Sequence, residues 1–293
     1  MRRAGGKRLR PIHPNAGAIL GFQRALRKSV REMRADYEDD VLRFWRKNAD
    51  EFGETPAGTR PEDVLASDAR RPRRMTAAQR RAFEELMEEL EERWTRRWTV
   101  RAQALTTEFL DKVYRSGRAQ FVAMLRENGI GVGMDLGGPG GADALERAVE
   151  RAVDLIRTIP REYHSRVRDA VNEGVARGRD LAFIESELAD GYGITERRAA
   201  MIARDQCNRV NSELAERSYL EAGIVEAEWM HMPASSKWRP THEAMNGQVY
   251  KVAEGLYDAD EGRFVKPGEL INCRCESCPI LPPQEGFGPA GGA

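Results

Sequence analysis

Apolar residues recur every three or four positions along most of this chain, and the interval shortens to two only near the C-terminus. From about Ala18 to Asn48 they fall at Leu26, Val30, Met33, Tyr37, Val41 and Phe44/Trp45, the spacing of one helix face. The longest run opens at Thr76, a good N-cap, and extends toward Asn128 through Phe83, Met87, Leu90, Trp94, Trp98, Ala102, Leu105, Phe109 and Val113. Eight steps cover 30 residues, a mean near 3.75, which is the helical period and not that of a strand. Trp94 and Trp98 lie on this stripe and read as core, not as a platform for stacked bases. Gly117 marks a place where the helix would kink or divide. Further helices are predicted at Ala142–Thr158, Pro160–Arg177, Asp180–Ala189 and Thr195–Ala222, the last capped by Thr195 and stopped by Gly223. Beyond Gly223 short strands are predicted at Ile224–Trp229, Gln248–Val252 and Arg263–Val265. The expected fold class is mainly α, with long N-terminal helices and a small C-terminal α+β module.

Breaks in the pattern divide the chain. Residues 1–17 are expected to form a flexible basic arm, 18–128 an elongated helical region and 129–141 a Gly-rich hinge. A helical domain over 142–223, a small α+β module with a Cys box over 224–281 and a disordered tail over 282–293 complete the division. Within the first helical region, Gly53 to Arg74 reads as a linker with one short helix, Pro61 to Ala69. The Gly-rich stretch GIGVGMDLGGPGG lacks G-x-x-x-x-G-K-[ST] and has no strand before it, so it is read as a hinge and not as a phosphate cradle.

Charge changes this picture locally. Lys plus Arg and Asp plus Glu each total 47 of 293 residues, so the formal net charge is zero. That counts against binding nucleic acid through overall charge, but not against a local patch. Residues 1–34 carry ten basic residues against one acid, Glu32, a net +9. Arg2, Arg3, Lys7, Arg8 and Arg10 head this segment. They are candidate contacts for nucleic-acid phosphates, in a sequence-independent and salt-sensitive mode, or for an acidic protein surface. No apolar run approaches 18 residues, so no membrane span is expected. The basic N-terminus has no apolar stretch behind it and does not read as a secretory signal. Four Cys, three of them within six residues, do not form a disulfide framework and fit a reducing setting.

The candidate chemistry lies in the last sixty residues. Cys273, Cys275 and Cys278 are spaced C-x-C-x2-C. With His242 or His231 they would complete a Cys3His tetrahedral site suited to zinc, and a small module with few aliphatics would gain most from such a clip. The other reading, which the single C-x2-C pair favours, puts Cys273 and Cys275 in alternation on a strand, one of them buried as a small hydrophobe. His242-Glu243-Ala244-Met245-Asn246 begins like the zinc-peptidase helix H-E-x-x-H, but Asn246 stands at the second His, so that activity is rejected. Arg239 and His242 are three apart and share a helix face, where they would anchor the Cys loop or the domain backbone. No paired carboxylate or hydroxyl nucleophile stands nearby, and no catalytic residue is assigned. His164 is expected at the surface, and Cys207 packed inside a helix.

These residues carry a resemblance. Arg239-x-x-His242, the Gly247 turn, Pro267-Gly268 and the box Asn272-Cys273-Arg274-Cys275, followed by Cys278-Pro279, resemble the C-terminal domain of the Mu F-like phage head-morphogenesis family. The helical lead-in from Arg197 to Ile224 resembles it too. The likeness covers roughly residues 150–282 and leaves the N-terminal half uncovered. Ahead of Arg239, where the family usually carries a charged turn, often Asp-x-Arg, this chain has Ser235-Ser236-Lys237-Trp238. The resemblance implies a minor capsid protein of a tailed phage, associated with the portal inside the virion head, and in the host cytoplasm during assembly; the long helices, the basic arm and the lack of a catalytic constellation point to a non-enzymatic adaptor. Its partners would be the portal protein, the major capsid or scaffold proteins and packaged DNA, and its role procapsid assembly and genome packaging, retention or delivery. Two other classes stay open: a metal-dependent hydrolase or nuclease of head maturation centred on His242 and the Cys cluster, and a DNA-binding protein acting through the basic arm.

Overall fold

Among the described residues, four long helices and a small β-sheet module make up the architecture. The computed structural model describes residues 6–49, 75–130, 139–176, 181–233 and 238–282. The linker and short helix expected between Gly53 and Arg74, most of the Gly-rich stretch, the tail beyond Pro282 and the Ser235–Lys237 turn lie outside the described residues. The helices are α1 (Ala16–Ala49), α2 (Ala77–Glu127), α3 (Pro139–Ala176) and α4 (Leu181–Glu221), of 34, 51, 38 and 41 residues.

Their ends follow local chemistry. Asn15 caps α1, its side-chain oxygen accepting the Ala18 N–H at 2.8 Å. Thr76 and Gln79 form a reciprocal capping box at the start of α2, with bonds of 3.2 and 2.9 Å. Gly223 ends α4 at φ +74°, and the Ile224 N–H reaches back to the Tyr219 carbonyl at 2.8 Å, the αL stop that a glycine permits.

Three expected breaks are absent. Gly117 lies inside an uninterrupted α2, where its missing side chain makes room for Leu214: a Cβ there would stand 2.4 Å from Leu214 Cδ2. Pro160 lies inside α3. It removes the N–H that would bond Ile156, yet Ile156, Ile159 and Tyr163 around it are all fully buried, and that packing outweighs one lost helical bond. Thr195 caps no helix. It sits within α4, and its hydroxyl bonds back to the Gly191 carbonyl at 2.8 Å, the mid-helix alternative open to Thr.

The chain divides into two compact units, Met1–Gln23 with Leu105–Ala152 and Met201–Ala293, and Arg24–Ala104 with Val153–Ala200. In the second, all-helical unit, Leu26, Val30, Met33, Tyr37 and Val41 of α1 and Phe83, Met87, Leu90, Trp94 and Trp98 of α2 are buried. Arg93, Arg97 and Arg101 on α2 pair with Asp40, Asp36 and Glu32 on α1. Each partner steps four residues in opposite directions, as antiparallel helices require. His164 is 4% exposed, not at the surface. Its Nδ1 is 3.1 Å from the Tyr37 hydroxyl and its Nε2 3.2 Å from Glu91, partners that α1 and α2 supply and a one-helix reading cannot see.

The first unit carries the β module. Its strands are β1 (Lys7–Arg8), β2 (Glu226–Met230), β3 (Val249–Lys251), β4 (Leu256–Asp258), β5 (Arg263–Val265) and β6 (Glu276–Leu281), with a five-residue helix α5 (Pro240–Ala244) between β2 and β3. A four-stranded antiparallel sheet runs β1-β6-β2-β3, with Glu228 opposite Cys278 and Ala227 opposite Tyr250; β4 and β5 pair separately. Residues 6–15 form no free arm. Lys7 and Arg8 pair with β6, Leu9 donates to the Pro279 carbonyl at 2.9 Å, and Leu9 and Ile12 are buried in the module's core with Trp229, Tyr250 and Tyr219. Two large aliphatics in the first twelve residues drive this: burying each removes apolar surface that solvent would otherwise meet. No helix among the described residues is long and apolar enough to cross a membrane.

Candidate functional site

One face of α4 holds the Cys loop by its backbone. Asp205, Asn208, Ser212 and Glu216 are spaced by three and four residues and so share a face. Asp205 accepts the Asn272 N–H at 2.6 Å, Asn208 donates to the Cys273 carbonyl at 3.0 Å, Ser212 donates to the Pro267 carbonyl, and Glu216 pairs with Lys266. Two loop residues allow this close fit. Gly268 has φ +81°, and a Cβ there would stand 3.0 Å from Ser212 Cβ and 3.2 Å from the Asn208 carbonyl oxygen, so both conformation and space call for glycine. Asn272 has φ +62°, the one non-glycine residue with positive φ among those described, a conformation Asn tolerates better than most. From the other side Arg239, the residue preceding α5, donates to the Ile271 carbonyl at 3.1 Å.

The loop brings Cys273 and Cys275 to His242. They lie on the irregular segment before β6, not in alternation on a strand. His242, on α5, is 1% exposed. Its Nδ1 is 3.4 Å from Cys273 Sγ and 3.7 Å from Cys275 Sγ, and its Nε2 is 3.1 Å from Asp258 Oδ2. Asp258, at the end of β4, is fully buried. It also receives the Thr241 hydroxyl at 3.2 Å and the Asp260 N–H at 3.0 Å. Burial alone would raise its pKa, but those hydrogen bonds and the neighbouring His242 outweigh it and hold the carboxyl below its ordinary value. The neighbouring Cys275 thiol, with His242 assisting, holds Cys273 below its ordinary value against burial. Cys273 and burial push Cys275 well up. His231, just past β2, brings its Nδ1 to 3.5 Å from Cys275 Sγ. A cavity of about 320 Å³ opens here, lined by His231, Trp238, Arg239, His242, Cys273 and Cys275 among others. Ligand atoms of His242, Cys273 and Cys275 all lie within 4.8 Å of one another, so these three could hold a metal ion.

Cys278 is placed elsewhere. It is buried on β6, with Arg8 Nη2 at 3.1 Å and Met230 Sδ at 3.9 Å, and burial pushes its thiol up to about 11. Cys207, on α4, is fully buried and pushed up to about 12 by that burial. Of the basic candidates, Arg8 pairs with Glu228 at 2.8 Å and Arg10 with Glu127 at 3.0 Å, while Lys7 is exposed. Arg2 and Arg3 lie outside the described residues. Sequence reasoning missed Asp258, because no motif surrounds it. It also missed the backbone-binding face of α4, although four polar residues at helical spacing were a visible signal.

Comparison with known proteins covers the same part of the chain. Residues 165–278 match the family described as Phage Mu protein F like protein, a family of structural proteins of phage head morphogenesis. An uncharacterised protein of Haemophilus influenzae is 31% identical over 129 residues, which are 44% of this chain and 28% of that protein. The chain therefore spans well under half the length of this relative. No solved structure matches the chain. The matched residues contain α4, the His242 centre and the Cys loop, so the family segment coincides with the module's built site.

Proposed function

We propose that the chain is a minor structural protein of a tailed-phage head, acting as an adaptor beside the portal during procapsid assembly and genome packaging, retention or delivery. The observation that carries this reading is the family match over residues 165–278, which falls on the module whose loop, turn residues and helix contacts are described above. The Asn-Cys-Arg-Cys box serves there to shape a compact module, in keeping with a docking unit. The other, all-helical unit, with its apolar interior and charged rim, suits contact with capsid proteins. In this reading the N-terminal cations touch packaged DNA or an acidic portal surface through Arg2, Arg3 and Lys7, while Arg8 and Arg10 join when they exchange Glu228 and Glu127 for an outside anion.

The test is to locate the chain in purified heads and to co-purify it with the portal protein from infected cells. The expected result is a low-copy head component that comes down with the portal, and heads made without it that package or retain less DNA. Absence from heads, together with no portal association, overturns the reading. Deletion of residues 1–5 tests the cations alone: loss of DNA retention with portal association intact assigns them to DNA, and loss of association assigns them to the portal.

A further inference from the structure

We infer that the module is a zinc-binding unit of the Cys2His2 type, with Cys273, Cys275, His242 and His231 as ligands and Cys278 excluded. A tetrahedral zinc ion with bonds of roughly 2.3 Å to sulfur and 2.0–2.1 Å to nitrogen places a sulfur and a nitrogen about 3.5–3.6 Å apart. Three of the four N···S separations are 3.4, 3.7 and 3.5 Å. His231 meets Cys275 alone and lies outside the trio whose ligand atoms are within 4.8 Å of one another, so its side chain must turn inward to complete the four. His242 supplies the sharper argument. Its Nε2 lies 3.1 Å from the Asp258 carboxylate, which only accepts, so the ring proton belongs on Nε2 and Nδ1 keeps a lone pair facing two sulfurs. One proton bridges one such pair, whereas one metal ion serves all three atoms. The carboxylate behind the imidazole is the outer-sphere partner that fixes a ligand histidine's tautomer and orientation. Asp258 is itself fixed by Thr241 and Asp260.

The surroundings are built for the same purpose. The Gly268 N–H donates to Cys273 Sγ at 3.3 Å, the contact a metal-bound thiolate accepts. Asn246, which stands where a zinc peptidase has its second His, accepts the His231 backbone N–H at 2.9 Å through its side chain and so places that residue beside the cavity. The four ligands come from three separate segments: the end of β2, α5 and the Cys loop. One ion therefore ties together three segments that also meet in the module's buried core. Cys278 takes no part, because its sulfur faces Arg8 and Met230.

The test uses the full chain in reducing buffer, stripped with a chelator and reloaded with zinc or cobalt(II) alone. About one equivalent is expected, with a higher melting temperature on reloading. The cobalt form should show the visible bands of a tetrahedral site and the charge-transfer intensity of two thiolates. Cys273→Ser, Cys275→Ser and His242→Ala should each lose at least about 100-fold in affinity, and His231→Ala about 10-fold. Cys278→Ser should bind like the parent. A parent chain that takes up neither metal, or a Cys278→Ser variant that loses it, overturns the assignment. Unchanged affinity in His231→Ala overturns the fourth ligand. Should the ligand variants fail to fold, the parent's spectrum decides: three-thiolate intensity refutes the site and two-thiolate intensity supports it.

Discussion

The all-helical unit and the Cys-bearing module are held together by different parts of the amino acid. Between α1 and α2 the contacts run from side chain to side chain: an apolar interior, then Arg93–Asp40, Arg97–Asp36 and Arg101–Glu32 along the rim. In the module the decisive contacts run from side chain to backbone: Asn208 to the Cys273 carbonyl, Arg239 to Ile271, and Tyr219 to the Ser277 carbonyl at 3.1 Å. Side-chain packing repeats every turn and is redundant. Backbone capture is singular, since each of these three carbonyls is met by one particular side chain. The contrast is broken most forcefully in the interior. Trp94, fully buried in the helical unit, should cost about 3–5 kcal/mol on truncation to Ala. Urea unfolding followed by far-ultraviolet circular dichroism would measure it, and a loss under about 1 kcal/mol would mean the helices do not depend on that interior.

The module should respond to smaller changes. Gly268→Ala forces an L side chain into φ +81° against Ser212 and should cost about 1–2 kcal/mol for the conformation alone. Asn208→Ala leaves the buried Cys273 carbonyl without its donor and should cost about 1–3 kcal/mol. Hydrogen exchange at Leu270–Cys275 would read both. Faster exchange confined to that loop is expected, and unchanged protection in Asn208→Ala would show that α4 does not hold it.

The same contrast explains what the sequence reveals. The helical stripes of α1 and α2, the Thr76 cap and the Gly223 stop were legible because each is a local signal repeated or punctuated at fixed spacing. The breaks expected at Pro160 and Thr195 failed because the buried face of Ile156, Ile159 and Tyr163 outweighs the bond Pro160 loses, and because the Thr195 hydroxyl bonds back to Gly191 within the helix. The free arm failed for a related reason: Leu9 and Ile12 look isolated until β6 and α4 surround them. The Cys box was legible as a set of residue types, but not as an arrangement. Which sulfur meets which imidazole depends on the left-handed turn at Asn272 and on the strand register that points Cys278 at Arg8.

A pH effect should distinguish the helical unit further. Burial lowers the pKa of His164 below 6.5, with Arg168 assisting and Glu91 and Glu84 opposing. The unfolded chain then binds more protons than the folded one across that range, so stability rises with pH. It should be complete above about 6.5 and fall as the pH drops through and below the unfolded value. Comparing melting temperatures at several pH values for the parent and His164→Gln would check this. The variant should lose part of the acid sensitivity, and identical pH profiles would assign that sensitivity to other groups.

The smallest effect belongs to the charged rim. The Arg97 and Asp36 side chains are 49% and 33% exposed, so water and salt screen their attraction. An exposed pair of this kind contributes about 0–1 kcal/mol. Arg97→Ala should therefore shift the melting temperature by no more than a few degrees, and by less in high salt. Arg97 also lies over the Trp94 ring, with its guanidinium carbon 5.0 Å from the centroid. Arg97→Lys keeps the charge but loses the planar stacking, so it separates the two contributions. If Lys matches the parent at both low and high salt, the ladder acts through charge. If Lys fails at both, the stacked guanidinium belongs with the interior that Trp94 anchors, and the rim of the helical unit is less separate from its core than the alternation of charges suggests.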